Sequence, residues 1–121
     1  MVIIINLTPH DVTVMPGDAE AVTFPASGEF ARVRETLGDE ELIATDAGPI
    51  PLRRLTYEEQ VDGLPDPRPG VLYLVSRLTA LSVRRDDLVF PQGEFRDDMG
   101  QIIGCRALGT FVDPLSMIGG V

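Results

Sequence analysis

Ten arginines and no lysine carry all the fixed side-chain positive charge of this sequence. A guanidinium is a planar fork of donors that grips a phosphate through two parallel bonds and stacks on a base; an ammonium does neither. Arg32 and Arg34 stand two apart, Arg84 and Arg85 are adjacent, and Arg96 and Arg106 lie on either side of a turn. Phe30, Tyr73, Phe90 and Phe95 offer rings for stacking. An arginine beside a ring suits the phosphate and base of a nucleotide. Taken singly, each arginine is also an ordinary surface partner for the 19 acidic residues.

Other chemistries find less support. His10 is the only histidine; it stands beside Asp11, with Ser27 and Ser76 elsewhere. No Gly-x-Ser-x-Gly elbow presents a nucleophile, and Pro9 and Asp11 already account for His10 as part of a turn. Cys105, the only cysteine, sits between Gly104 and Arg106 and reads as a buried, inert thiol. One cysteine excludes a disulfide within the chain and a cysteine-rich zinc site. Without lysine there is no Walker A loop, and no Gly-x-Gly-x-x-Gly opens a helix. The acidic pairs Asp86-Asp87 and Asp97-Asp98, with Glu94, do not follow the alternate spacing of an EF-hand. The expectation is a protein with no catalytic residue, metal or cofactor. A net charge of −9 argues against a general nucleic-acid binder, which needs a basic face.

The elements that must position these residues read as follows. The 121 residues suit one domain, assigned to 1–108 with a tail over 109–121. No apolar run approaches a membrane span. The start Met1-Val2-Ile3-Ile4-Ile5 is too short for a signal peptide and lacks its charged flank, so a cytoplasmic protein is expected. Val2 to Ile5 and Val12 to Met15 read as strands joined by the turn Asn6–Asp11, forming an antiparallel hairpin. Strands follow at Ala21–Phe24, Phe30–Glu35, Leu42–Thr45 and Leu52–Tyr57, with Ala47–Pro51 breaking structure. Val71 to Val75 is a continuous apolar run, the signature of a strand buried on both faces. From Ser76, a fitting N-cap, Leu78 and Leu81 fall at helical spacing, and Arg84-Arg85 would close a helix near 76–85. Asp87–Phe90 and a hairpin with Asp98-Met99-Gly100 at its tip complete the set. The class is α+β, predominantly antiparallel sheet with about one short helix.

Chain order adds a resemblance. Asn6-Leu7-Thr8-Pro9-His10 follows an apolar strand; Pro25-Ala26-Ser27-Gly28 leads to Arg32; Val61-Asp62-Gly63-Leu64-Pro65 precedes Tyr73-Leu74-Val75-Ser76. Arg85-Asp86-Asp87-Leu88 and Arg96–Cys105 come last. Over residues 2–108 this resembles a family of small phage and prophage proteins close to the first type of Thoeris anti-defence protein. The resemblance implies a sponge that sequesters a cyclic ADP-ribose-type signal or a cyclic oligonucleotide without cleaving it. It implies a homo-oligomer, dimer to hexamer, acting in the cytoplasm, of the host if phage-encoded. It implies phosphate contacts from Arg32 and from Arg96 or Arg106. From the residues themselves, Tyr73 or Phe90 is expected to stack on adenine, and Arg85 is expected among the ligand-binding residues. The apolar tail, Phe111-Val112 and Leu115 to Ile118, would serve as subunit contact. Two rival readings remain: a non-catalytic structural or protein-interaction module of a phage or prophage, and a nucleotide hydrolase using His10.

Overall fold

A computed structural model of the chain describes residues 1–112. The expected tail contact at Leu115–Ile118 lies outside these residues. The class is as the sequence implies: β-rich α+β with one short helix.

The centre is β6 (Val71–Leu74), buried along its whole length. Its odd residues Val71 and Tyr73, with Val75 beyond, pack with Leu7, Ala80, Leu88 and Phe90 on one face. Its even residues Leu72 and Leu74 pack with Val89 on the other, against Val12, Phe24 and Leu108. Burial on both faces is why this stretch shows no polar alternation. Each fully buried aliphatic side chain here contributes on the order of 1.5–3 kcal/mol.

Around β6 a six-stranded sheet runs in the order β1-β6-β7-β8-β2-β3. The flanking strands are β1 (Ile3–Asn6), β2 (Val12–Val14), β3 (Val22–Phe24), β7 (Leu88–Arg96) and β8 (Ile102–Gly109). β1 and β7 pair with β6 in parallel, whereas β7–β8 and β2–β3 are antiparallel. The expected hairpin between the first two strands does not form: β1 pairs with β6, and β2 with β3 and β8. The turn between β1 and β2 is real, but it carries the chain from the β1 edge to β2, which lies beside β3 at the opposite edge. Between β6 and β7 the chain crosses over through α1 (Arg77–Ser82).

Helix α1 is shorter than its spacing suggests. Ser76 caps it as expected, its hydroxyl accepting from the Thr79 N–H at 3.2 Å. It ends at Ser82, so Arg84 and Arg85 lie beyond it and do not serve its C-terminus. Thr79 and Ala80 face inward while Leu78 and Leu81 are exposed. Tyr73 and Phe90 already fill the core beneath, leaving room for small side chains only.

The remaining strands, β4 (Arg32–Thr45) and β5 (Gly48–Asp62), form a sheet of their own. Thr36–Glu41 is an exposed part of this long hairpin, and Ala47–Pro51, read as a break, lies at its tip. Prolines are tolerated because the ribbon has free edges where no donor is required. At its base Arg34 Nε donates to both Asp62 carboxylate oxygens, at 3.1 and 3.0 Å. That bond holds the Asp62 carboxyl below the usual carboxylate range. Gly63 then brings the chain back to the body with φ of +80°, and a Cβ there would clash with the Phe30 carbonyl oxygen. Gly63→Ala is expected to destabilise the protein by about 1–3 kcal/mol from backbone strain alone, with the clash adding to it. A shifted denaturant midpoint at unchanged slope would register this; an unchanged midpoint would refute it.

Candidate functional site

The loops after β1 and β6 leave the sheet on the same side, at the carboxyl ends of parallel strands, where crevices form in α/β sheets. A cleft of about 700 Å³ opens there, lined by Thr8, Pro9, His10, Val12, Ser76, Arg77, Pro91, Gly93, Glu94 and Arg96. A smaller pocket of about 210 Å³ shares Val12, Pro91 and Glu94 with it and reaches Ile103 and Cys105.

The wall after β1 is fixed by Asn6, which is 2% exposed. Its amide nitrogen donates to the carbonyls of His10 at 2.8 Å and Phe24 at 2.9 Å. Its oxygen accepts from the Thr8 N–H at 2.9 Å. The Thr8 hydroxyl lies 2.7 Å from that oxygen and 2.9 Å from the His10 carbonyl, so its one proton serves either. This side chain therefore closes the loop that presents His10 and ties it to the end of β3. Asn-Leu-Thr-Pro-His is thus a scaffold motif: Asn6 and Leu7 are buried, and His10 is exposed at the cleft.

Two arginines face this cleft from different elements. Arg77, in the first turn of α1, lies with its guanidinium carbon 5.2 Å from the centre of the Phe90 ring. It makes no ion pair among the described residues. Arg96, at the end of β7, donates to the Gly100 carbonyl at 2.7 Å and stands 3.9 Å from Glu94. The tip that supplies Gly100 is itself rigid: Asp97 Oδ1 accepts from the N–H groups of Met99 and Gln101, both at 2.9 Å. Asp97 therefore organises the turn. Among the described residues Arg96 makes this one hydrogen bond and the long ion pair, which leaves most of its five donors over.

Compared with protein-family models, curated proteins and solved structures, the chain matches none.

Of the residues singled out in the sequence, Arg96 lines the cleft. Tyr73 and Phe90 do not serve as stacking surfaces: they are 1% and 4% exposed. Tyr73 donates to the Asp66 carbonyl at 3.3 Å, and Phe90 stacks on Phe111 with centroids 4.7 Å apart. Arg85 is not a ligand group, because its fork is closed on Asp87, with Nε to Oδ1 at 2.8 Å and a second, shorter bond to Oδ2. Arg106 does not pair with Arg96. The hairpin register sets Arg96 opposite Ile102, and Arg106 lies beside Gly93, where an added Cβ would stand 3.1 Å from its own. Arg32 sits at the base of the β4–β5 arm, 5.7 Å from the Phe30 ring, and lines no part of the cleft. Cys105 is buried as expected, and desolvation pushes its thiol pKa up.

Sequence reasoning missed Arg77, whereas His10, a turn residue that the hydrolase reading singles out, does line the cleft. The usable signal for Arg77 was its place directly after the N-cap of the crossover from the central strand. There a side chain overlooks the carboxyl ends of β6 and β1.

Proposed function

We propose that this protein binds a small cyclic nucleotide signal in the β1–β6 cleft and sequesters it without cleaving it, in the manner of an anti-defence sponge. The observation that carries the reading is the pair Arg77 and Arg96. In a chain of net charge −9, two guanidiniums from separate elements converge on one cleft with most of their donors unspent. They supply the bidentate geometry a phosphate or pyrophosphate requires. The cleft volume suits a ligand of a few hundred daltons. The Asn6 clamp and the Asp97 turn hold both walls in place before binding, which lowers the entropic cost of association. The cyclic ADP-ribose type of ligand comes from the resemblance of the Asn6–His10 and Arg96–Cys105 segments.

His10 on the same cleft supports a second reading, hydrolysis of a nucleotide. A thermal-shift panel of cyclic ADP-ribose isomers and cyclic di- and trinucleotides, with linear ADP-ribose as control, tests the first. A ligand at 100 times its dissociation constant adds about 2.7 kcal/mol, a shift of several degrees at this size. Heating the complex should then return the ligand chemically intact. No shift across the panel overturns the binder. Turnover that disappears in His10→Ala replaces it with the hydrolase.

A further inference from the structure

The β4–β5 ribbon is the part of the molecule that its own chain leaves uncovered. Strands of 14 and 15 residues carry it roughly 45 Å from its base, and every residue from Thr36 to Thr45 is exposed. A two-stranded ribbon is marginal in water by itself. The whole chain exposes 8433 Å², about 2,000 Å² more than a compact protein of its length. Assigning residues 113–121 the area of an unfolded chain still leaves an excess of roughly 900 Å². One partner's share of a standard protein interface is about 800 Å², so the surplus is the size of one docking surface.

The ribbon's edges differ. Thr45 and Gly48 close a two-residue turn and form a hydrogen-bonded pair, so the pairs beyond alternate. Ala44↔Pro49 and Leu42↔Pro51 are then the pairs whose backbone groups point outward. On the β5 side these positions are prolines, which have no N–H to offer, and that edge is blunted. On the β4 side Leu42 and Ala44 keep their outward N–H and C=O groups, and among the described residues only β5 pairs with β4. Charge selects what this open edge accepts. From Glu35 to Asp46 the chain carries five carboxylates, on Glu35, Asp39, Glu40, Glu41 and Asp46, and no cation. Across the ribbon Arg53 is spent on Glu40 at 2.9 Å. Asp39, Glu41 and the nearby Arg54 have no ion-pair partner among the described residues. A second copy of this edge would bring five more carboxylates and no cation, so the chain's own β4 is a poor match for it. The complementary strand has cations opposite Asp39 and Glu41 and apolar side chains opposite Leu42, Ile43 and Ala44.

We propose that the open edge of β4 takes up an extended segment of a different protein as a third, antiparallel strand of the arm, apolar at its start and cationic at its end. Main-chain bonds to Leu42 and Ala44 supply affinity, and the carboxylates of Asp39 and Glu41 set the preference. The contact is independent of what the cleft binds. The probe is a labelled synthetic peptide, Thr-Val-Ile-Val-Arg-Thr-Arg, matched antiparallel to the stretch from Thr45 back to Asp39. Fluorescence anisotropy with the full chain should show saturable binding below about 100 µM. N-methylation of both valines, whose N–H groups meet the outward carbonyls of Ala44 and Leu42, should abolish it; N-methylation of the isoleucine should not. Ala44→Pro removes an outward N–H and no bond of the hairpin itself, so it should weaken binding at least about tenfold and keep the β circular-dichroism spectrum. Asp39→Arg with Glu41→Arg should lose this peptide and take up its counterpart with glutamate in place of arginine. No binding overturns the proposal. Binding that either set of N-methyl groups leaves intact overturns it too, since that is general attraction to an acidic chain. So does a charge exchange that fails to switch the preferred peptide, and so does an edge already filled by a second copy, seen as a doubled mass that Ala44→Pro halves.

Discussion

Arg85→Ala should cost this protein about 3–5 kcal/mol, the range for breaking a buried ion pair by deleting one partner. Asp87 is wholly buried where β7 begins, and both its oxygens are held by the Arg85 fork. Its own carbonyl accepts from the Tyr73 N–H at 2.8 Å, so the residue is locked to the central strand and cannot swing to water cheaply. Deleting Arg85 strands a carboxylate in the core, whereas deleting Asp87 leaves a guanidinium that is 22% exposed and can reorient. Arg85→Ala should therefore be the worse of the two. It should lower the melting temperature on the order of 15 °C for a domain of this size. Arg85→Met with Asp87→Leu should be milder than Arg85→Ala, since no uncompensated charge remains. If the double variant is as unstable as the sum of the singles, the cost comes from lost packing and the ion-pair account fails.

Arg85 also shows what could be read from the sequence. Val71–Val75 as a buried strand and Ser76 as a cap were both legible, because each depends on residues within a few positions. Arg85 was not, since its role at a helix end assumed a helix that stops at Ser82. Its partner is two residues away, beyond any periodicity. Tyr73 and Phe90 read as stacking rings because they are aromatic near arginines, but large rings are also what a small core takes first. The long arm was hidden by Pro49 and Pro51, which end a strand in a sheet interior and not on a free edge. Partner choice for β1 was invisible for a different reason: β6 lies some 70 residues on, and no local pattern encodes that pairing. The cleft follows from this pairing, so its membership could not be read before the topology was known.

Arg77→Ala and Arg96→Ala should each weaken binding of the cleft's ligand by about ten- to a hundredfold, the worth of a charge-assisted hydrogen bond. Arg96 should be the larger of the two. Its guanidinium is already held by Gly100, so it gives up less freedom on binding than Arg77, which among the described residues is steadied by the Phe90 ring alone. The two stand on different elements and share no bond, so their effects should add, giving about 10²- to 10⁴-fold in the double variant. Neither change should cost the fold much: Arg77 gives up a stacking contact worth about 0.5–1 kcal/mol and Arg96 a surface bond. Arg77→Lys separates fork from charge. If the phosphate is gripped bidentately, lysine should recover little; if only a positive potential is needed, it should recover most. Arg106→Ala lies off the cleft and serves as the control. Arg32→Ala decides between sites. Binding lost in Arg32→Ala but retained in the Arg77/Arg96 double variant would move the ligand to the base of the arm. The cleft at the ends of β1 and β6 would then be a structural crevice only.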